Sequence, residues 1–298
     1  MIAVKYSQIK IQQLRQEWKK GDDLRDAGLD KHPMNVHRLD NLSYGSHGKY
    51  NLLDLYLPNK LKGPLPVIIN IHGGGYFYAT KETYQFYGLM MAQKGFAFVN
   101  FNYQLAPDVQ YPSEINEVNQ VFQWVAMHGK EYNLDLNNVF VVGDSAGGQM
   151  AEQYLVAYSN PVYRGMMRFS KPNLTIRAGL LNCGCYFLPQ LLAQPSLIDI
   201  YFSPVAKKRY QQQLRVEDYV TEDFLPVFIM TANNDFLRDV GIHFDKLLNA
   251  RRIEHEFKIY GSPDHSRNHV FHFNLKNDPI AKQCNDDEIA FLLRHINK

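Results

Sequence analysis

Six consecutive residues, Gly143-Asp144-Ser145-Ala146-Gly147-Gly148, set one serine among small neighbours. They follow an apolar run, Val139-Phe140-Val141-Val142, and open a helical pattern that continues over 146–159. A serine on a tight turn between strand and helix exposes its hydroxyl and sits at a helix N-terminus, where developing negative charge is favoured. The chemistry that suits it is acyl transfer, with Ser145 attacking a carbonyl carbon. The bland alternative is a glycine turn capped by a serine. A second stretch, His72-Gly73-Gly74-Gly75-Tyr76, follows the run 67–71. A tetrahedral oxyanion needs two or three backbone N–H groups aimed at one point, and glycines let a chain present them and let substrate approach.

An attacking serine needs a base, and the base needs an acid to orient it. Asp235 lies just past the run 226–230, in the kind of loop after a strand where functional residues collect. Asp239, four positions on, is its rival and reads as the cap of the next helix. Three histidines, His265, His269 and His272, lie within 263–273, after the last strand-like run. The base must reach Ser145 with one ring nitrogen and the acid with the other. His269 lies nine positions past Tyr260, with Gly261 and Pro263 between, which suits a loop returning over the sheet. His265 is only five past Tyr260, and His272 stands in an apolar run that turns back toward a core. Whichever histidines are not the base are expected at the surface. A zinc site on the three is the weaker reading, since no cysteine stands close in sequence and Asp264 adjoins His265.

These groups need a scaffold. Nearly continuous apolar runs at 67–71, 96–101, 139–142, 176–181 and 226–230 are what a parallel sheet covered on both faces demands. A more polar run at 256–260 belongs near the sheet edge. Helical patterns fill 83–94, 113–132, 146–159, 239–250 and 286–296. Strands alternating with helices predict an α/β fold with a mostly parallel central sheet. Upstream, 35–42 and 50–57 predict an antiparallel hairpin. The region 187–223 breaks the alternation and predicts a small helical insertion above the sheet. Ile9, Ile11, Leu14 and Trp18 predict a helix in residues 1–30, packed on the body or over a cleft.

Composition sets the outer bounds. The 298 residues, 45% hydrophobic and 21% charged, are those of a globular chain, here read as one domain over 1–298. A net charge of +2 carries no basic excess for nucleic acid. No apolar stretch approaches the roughly 20 residues that span a bilayer. Three cysteines, an odd count, argue for reduced thiols, and the N-terminus has no signal-peptide pattern. The expected location is the cytoplasm. Neither cofactor nor metal is expected, and the expected partner is a small-molecule ester, with a homodimer left open.

Taken in order, His72–Tyr76, Tyr103-Gln104-Leu105-Ala106-Pro107, Gly143–Gly148 and Asp235-Phe236-Leu237-Arg238-Asp239 resemble the hormone-sensitive-lipase-like branch of the α/β-hydrolase fold. The resemblance covers roughly residues 50–298. It implies a carboxylesterase or lipase-like enzyme, with Ser145 as nucleophile, Asp235 as acid and Gly74, Gly75 and Ala146 as backbone oxyanion donors. The branch's His-x-Phe ending fits His269-Val270-Phe271, which implies His269 as base. Gln104 departs from the arginine usual there. Gly-Asp-Ser-Gly-Gly also marks chymotrypsin-like proteases, but those are β-barrels with the order His, Asp, Ser.

The resulting expectation is hydrolysis of short- to medium-chain acyl esters through an acyl-enzyme. Tyr201, Phe202 and Tyr210 of the insertion are expected to wall the pocket. Alternatives on the same fold are an arylformamidase-like amide hydrolase and a feruloyl or acetyl-sugar esterase. Outside catalysis, a silent binding protein would share the scaffold, since fold does not fix function.

Overall fold

The chain is described by a computed structural model over residues 8–59 and 63–297. The first seven residues of the expected N-terminal helical segment lie outside the described residues. Among those described, eight strands form one sheet: β1 (Val36–Ser43), β2 (Leu52–Pro58), β3 (Leu65–Ile71), β4 (Ala97–Phe101), β5 (Leu134–Asp144), β6 (Ile176–Asn182), β7 (Val227–Ala232) and β8 (His255–Tyr260). Their spatial order is β1-β2-β4-β3-β5-β6-β7-β8. β1 and β2 form the antiparallel hairpin, β2 pairs antiparallel with β4, and every later pairing is parallel.

The helices are α1 (Gln8–Asp26), α2 (Gln85–Gln93), α3 (Ser113–His128), α4 (Ala146–Ser159), α5 (Pro161–Met167), α6 (Leu188–Leu191), α7 (Pro204–Arg209), α8 (Arg238–Ala250) and α9 (Pro279–Arg294). Alternation of side chains across β5 explains the layers. Val139 and Val141 join Val118, Val121 and Phe122 of α3 and Leu155 of α4 in one core. Phe140 and Val142 face the other way, with Leu89 and Met91 of α2 and Phe291 and Leu292 of α9. Both cores are fully buried, which is why the central strands read as unbroken apolar runs. β8 is half-buried at the edge, as its polar sequence required.

Several boundaries differ from the sequence expectation. α9 starts at Pro279, not near 286, because the Asp278 side chain accepts from the N–H groups of Ile280 and Ala281 at 3.0 and 3.2 Å. An Asp-Pro start of this kind is a strong N-terminal signal. The same device, Asn160 followed by Pro161, starts α5, which periodicity missed. α3 stops at His128, four residues before the expected end. Asp239 does not cap α8: Leu237 holds that position, and Asp239 pairs with Arg238 instead. The insertion is a set of short pieces, α6 and α7 with 3-10 turns at Leu197–Ile200 and Val216–Tyr219.

α1 lies over the strand ends rather than away from the body. Arg15 donates to the carbonyls of Phe77 at 2.7 Å and Ala106 at 2.9 Å. The Trp18 ring packs on Phe77 and Tyr78 at 4.9 and 5.5 Å between centroids. Tyr78 donates to Asp22 at 2.6 Å. No described helix is long and apolar enough to cross a membrane.

Candidate active site

β5 ends at Asp144 and α4 begins at Ala146, so one residue makes the whole turn. Ser145 makes it at φ 52° and ψ −116°, a conformation that costs a non-glycine residue on the order of 1–3 kcal/mol. Its N–H donates to the Asn182 carbonyl at 2.9 Å, fixing the turn against the end of β6. The turn also demands close backbone approach. A Cβ on Gly147 would lie 2.0 Å from the Ile71 carbonyl oxygen, so the helix can abut β3 only with glycine there.

The loop after β3 wraps the same point. Gly74 adopts φ 102° and its carbonyl accepts from Phe77 and Tyr78, turning the chain sharply. Among the described residues, no protein acceptor takes the N–H of Gly74, Gly75 or Ala146. The N–H of Gly73, by contrast, is spent on Asp144 Oδ1 at 3.0 Å and the Tyr84 hydroxyl at 2.8 Å. Tyr84 in turn donates to Asp144 Oδ2 at 2.9 Å. Burial pushes the Asp144 carboxyl up to about 6 although these donors favour its charge. His72 is buried and stacked on Tyr103 at 3.9 Å, with Nδ1 against the Gly73 carbonyl at 2.8 Å. Burial lowers its pKa to about 4, so it is neutral scaffolding.

The loops after β7 and β8 bring the other two groups together. His269 Nδ1 lies 2.8 Å from Asp235 Oδ1. Asp235 also accepts from Leu237 N–H at 2.8 Å and from the Thr231 hydroxyl at 3.0 Å. Burial alone would raise this carboxyl, but the hydrogen bonds from His269 and its neighbours outweigh it and hold the pKa below the ordinary value. Asp239 makes no such contact. His265 is exposed on the loop. His272 is fully buried, against the surface expectation, its ring tilted against Phe273 at 3.9 Å between centroids and its pKa lowered by burial.

Ser145, His269, Gly74, Gly75 and Ala146 all line one cavity of about 700 Å³. α1 supplies Trp18 and Arg25 to its wall, and the insertion supplies Leu191, Leu197 and Ile198. Tyr201 and Phe202 do not line it. They are buried behind Tyr76, packed on its ring at 4.8 and 5.0 Å, and so act one layer back. Tyr210 packs on Tyr111 at 5.4 Å, away from the cavity.

Sequence reasoning gave no role to Asp144 or Thr231, and it named Trp18 only as an apolar position of a helix packed on the body or over a cleft. Asp144 sat inside the serine motif, and Thr231 stands four before Asp235, so proximity was the available signal. It also placed no cysteine near the histidines. In space, the Cys183 sulfur, an Asp235 oxygen and a His269 nitrogen lie within 4.8 Å of one another. Burial pushes the Cys183 thiol well above its ordinary range, and the other two groups are already bonded face to face. A divalent ion would have to break that bond and deprotonate the thiol, so the trio reads as a hydrogen-bonded cluster.

Residues 53–177 match the family model BD-FAE. The probable carboxylic ester hydrolase LipM of Mycobacterium tuberculosis is 27% identical over 66% of this chain and 48% of its own length. The versiconal hemiacetal acetate esterase of Dothistroma septosporum is 33% identical over 31% of this chain and 28% of its own. The chain thus spans about half or less of these curated relatives. Esterase B from Lactobacillus rhamnosis, solved with a tributyrin phosphonate inhibitor, superposes with a TM-score of 0.86 at 23% identity, covering 96% of this chain and 94% of that one. A bacterial heroin esterase superposes at 0.75 with 18% identity, covering 97% and 93%. At these identities the structural likeness is one of fold. By strand order, crossover pattern and the placement of its loops, the chain belongs to the α/β-hydrolase fold.

Proposed function

We propose that the protein is a serine carboxylesterase acting on short- to medium-chain acyl esters. The observation that supports this is that Ser145, on its strained turn, and His269, bonded to Asp235, line one cavity together with Gly74, Gly75 and Ala146, whose N–H groups no protein acceptor takes. Ser145 Oγ attacks the ester carbonyl while His269 Nε2 takes its proton. Asp235 holds the imidazole with Nδ1 protonated and stabilises the cation. The three N–H groups receive the oxyanion, each such donor contributing about 3 kcal/mol. His269 then returns the proton to the leaving alcohol, and water attacks the acyl-enzyme by the same route. The names of the matched relatives and neighbours point the same way.

The chain-length reading rests on the cavity's wall. Tyr76, which lines it, is buttressed by Tyr201 and Phe202 and hydrogen-bonded to Gln149 at 3.0 Å, so this part of the wall is held rigid by packed rings. The insertion offers short helical pieces and no long apolar helix that could open onto lipid. The test is uptake of a serine-directed fluorophosphonate by wild type and Ser145→Ala, with hydrolysis of p-nitrophenyl esters from acetyl to palmitoyl. Labelling confined to wild type, with butyryl turned over faster than palmitoyl, is the expected result. An unlabelled wild-type protein overturns the esterase reading, and faster palmitoyl turnover at an oil interface overturns the chain-length reading.

A further inference from the structure

Phe236 directly follows Asp235 and is 76% exposed, an unusual position for a phenylalanine. Its ring stands 4.4 Å from the His269 imidazole, tilted at 46°, and it lines the same cavity as Ser145. Nothing in the core needs it there. Asp235 is already fixed by Thr231 and Leu237, and Leu237, not Phe236, turns inward to pack with the core.

The chemistry of the proposed reaction says what this ring meets. His269 must deliver a proton to the leaving oxygen, so it lies within hydrogen-bond reach of that atom. The first atoms beyond the oxygen therefore lie within one ring's width of the imidazole, on the His269 side of Ser145. A flat aromatic face beside the leaving group favours a flat partner, through offset or edge-to-face stacking. Phe273 and Trp18 line the same cavity and extend its aromatic character.

We propose that Phe236 forms an alcohol-side subsite for esters of aromatic alcohols, stacking the leaving aryl group beside His269. This rests on the ester-hydrolase reading above. Because the contact is made to the departing group, it acts on kcat/KM rather than on the fold.

The test compares benzyl butyrate with cyclohexylmethyl butyrate, which have leaving groups of similar size and differ in flatness and π character. Wild type is expected to favour the benzyl ester by about threefold to tenfold in kcat/KM, the range aromatic pairing supplies. Phe236→Leu, which keeps apolar bulk, is expected to bring the ratio near one, and Phe236→Tyr to retain it. A wild-type ratio at or below one overturns the proposal. So does an equal loss on both esters in Phe236→Leu, which would make Phe236 a mere support for His269. If neither ester turns over while Ser145 still takes up the fluorophosphonate, the subsite falls and the ester-hydrolase reading stands. If Ser145 takes up no label, both fall.

Discussion

The N–H of Gly73 donates to Oδ1 of Asp144 at 3.0 Å, so the residue before Ser145 is tied directly to the loop that carries Gly74 and Gly75. Tyr84 clamps the other carboxylate oxygen. One buried side chain thereby ties together the two backbone segments that carry the proposed oxyanion donors.

Asp144→Ala should therefore damage both fold and activity. It removes two hydrogen bonds to a buried carboxylate, leaving the Tyr84 hydroxyl without its acceptor and the Gly73 N–H with Tyr84 alone, and a bond to a charged group contributes about 1.5–3 kcal/mol. A stability loss of about 2–4 kcal/mol is expected from denaturant midpoints, with kcat down about 10²-fold as the oxyanion loop drifts. Unchanged kcat in a stably folded variant would show that the clamp does not set the loop.

Ser145→Ala and His269→Ala should each lower kcat by about 10⁴-fold or more, and the double variant should lose little beyond either one. His265→Ala, on an exposed loop, should stay within about tenfold of wild type. His272, expected at the surface but fully buried, makes His272→Ala a different case. It should cost about 2–4 kcal/mol of stability by opening a cavity. Additive losses for Ser145 and His269 in kcat would separate them into unrelated roles.

Thr231 supplies the hydroxyl on the second oxygen of Asp235, whose side chain is wholly buried. Thr231→Val keeps the shape and removes the donor. The carboxylate then lacks one of the donors that fix it against His269, and kcat is expected to fall about tenfold, the worth of one charge-assisted hydrogen bond. Thr231→Ser should restore kcat. A loss of the same size in Thr231→Val and Thr231→Ser would reduce Thr231 to packing.

Much of this is legible in the sequence. The apolar runs gave the central strands because both sheet faces are covered, and the serine and glycine motifs carry their own backbone demands. The pairing of Asp235 with His269, at 2.8 Å, was reachable through chain order and loop length. What stayed hidden depends on contacts between distant segments. Cys183 comes beside His269 only because β6 and β7 are neighbours in the sheet. The burial of His272 follows from α9 beginning early, which brings Asn285 to donate to the His272 carbonyl at 3.0 Å. The aromatic insertion was misplaced by one layer, since composition cannot say whether a ring faces a cavity or supports one that does.

Glu288 offers a test of how that buried layer titrates. Its oxygens accept from Asn182 at 2.7 Å and Tyr87 at 2.7 Å, beneath the carbonyl of Asn182 that holds the Ser145 N–H. Full burial raises its pKa from 4.5 to about 7 despite those donors. The sign follows from proton counting. Between about 4.5 and 7 the folded chain keeps a proton that the unfolded chain has released, so stability from this group falls as pH rises, and it levels above about 7. A shift of this size corresponds to about 3 kcal/mol. Glu288→Gln removes the titration, and the amide can be met by the unpartnered Oδ1 of Asn182 once that side chain flips. Urea midpoints at pH 5 and pH 8 should show the variant gaining about 2–3 kcal/mol on wild type across the interval. A gap that stays constant or closes would mean that Glu288 is already ionised in the fold at pH 5, with a cation or water serving it that the protein bonds do not supply.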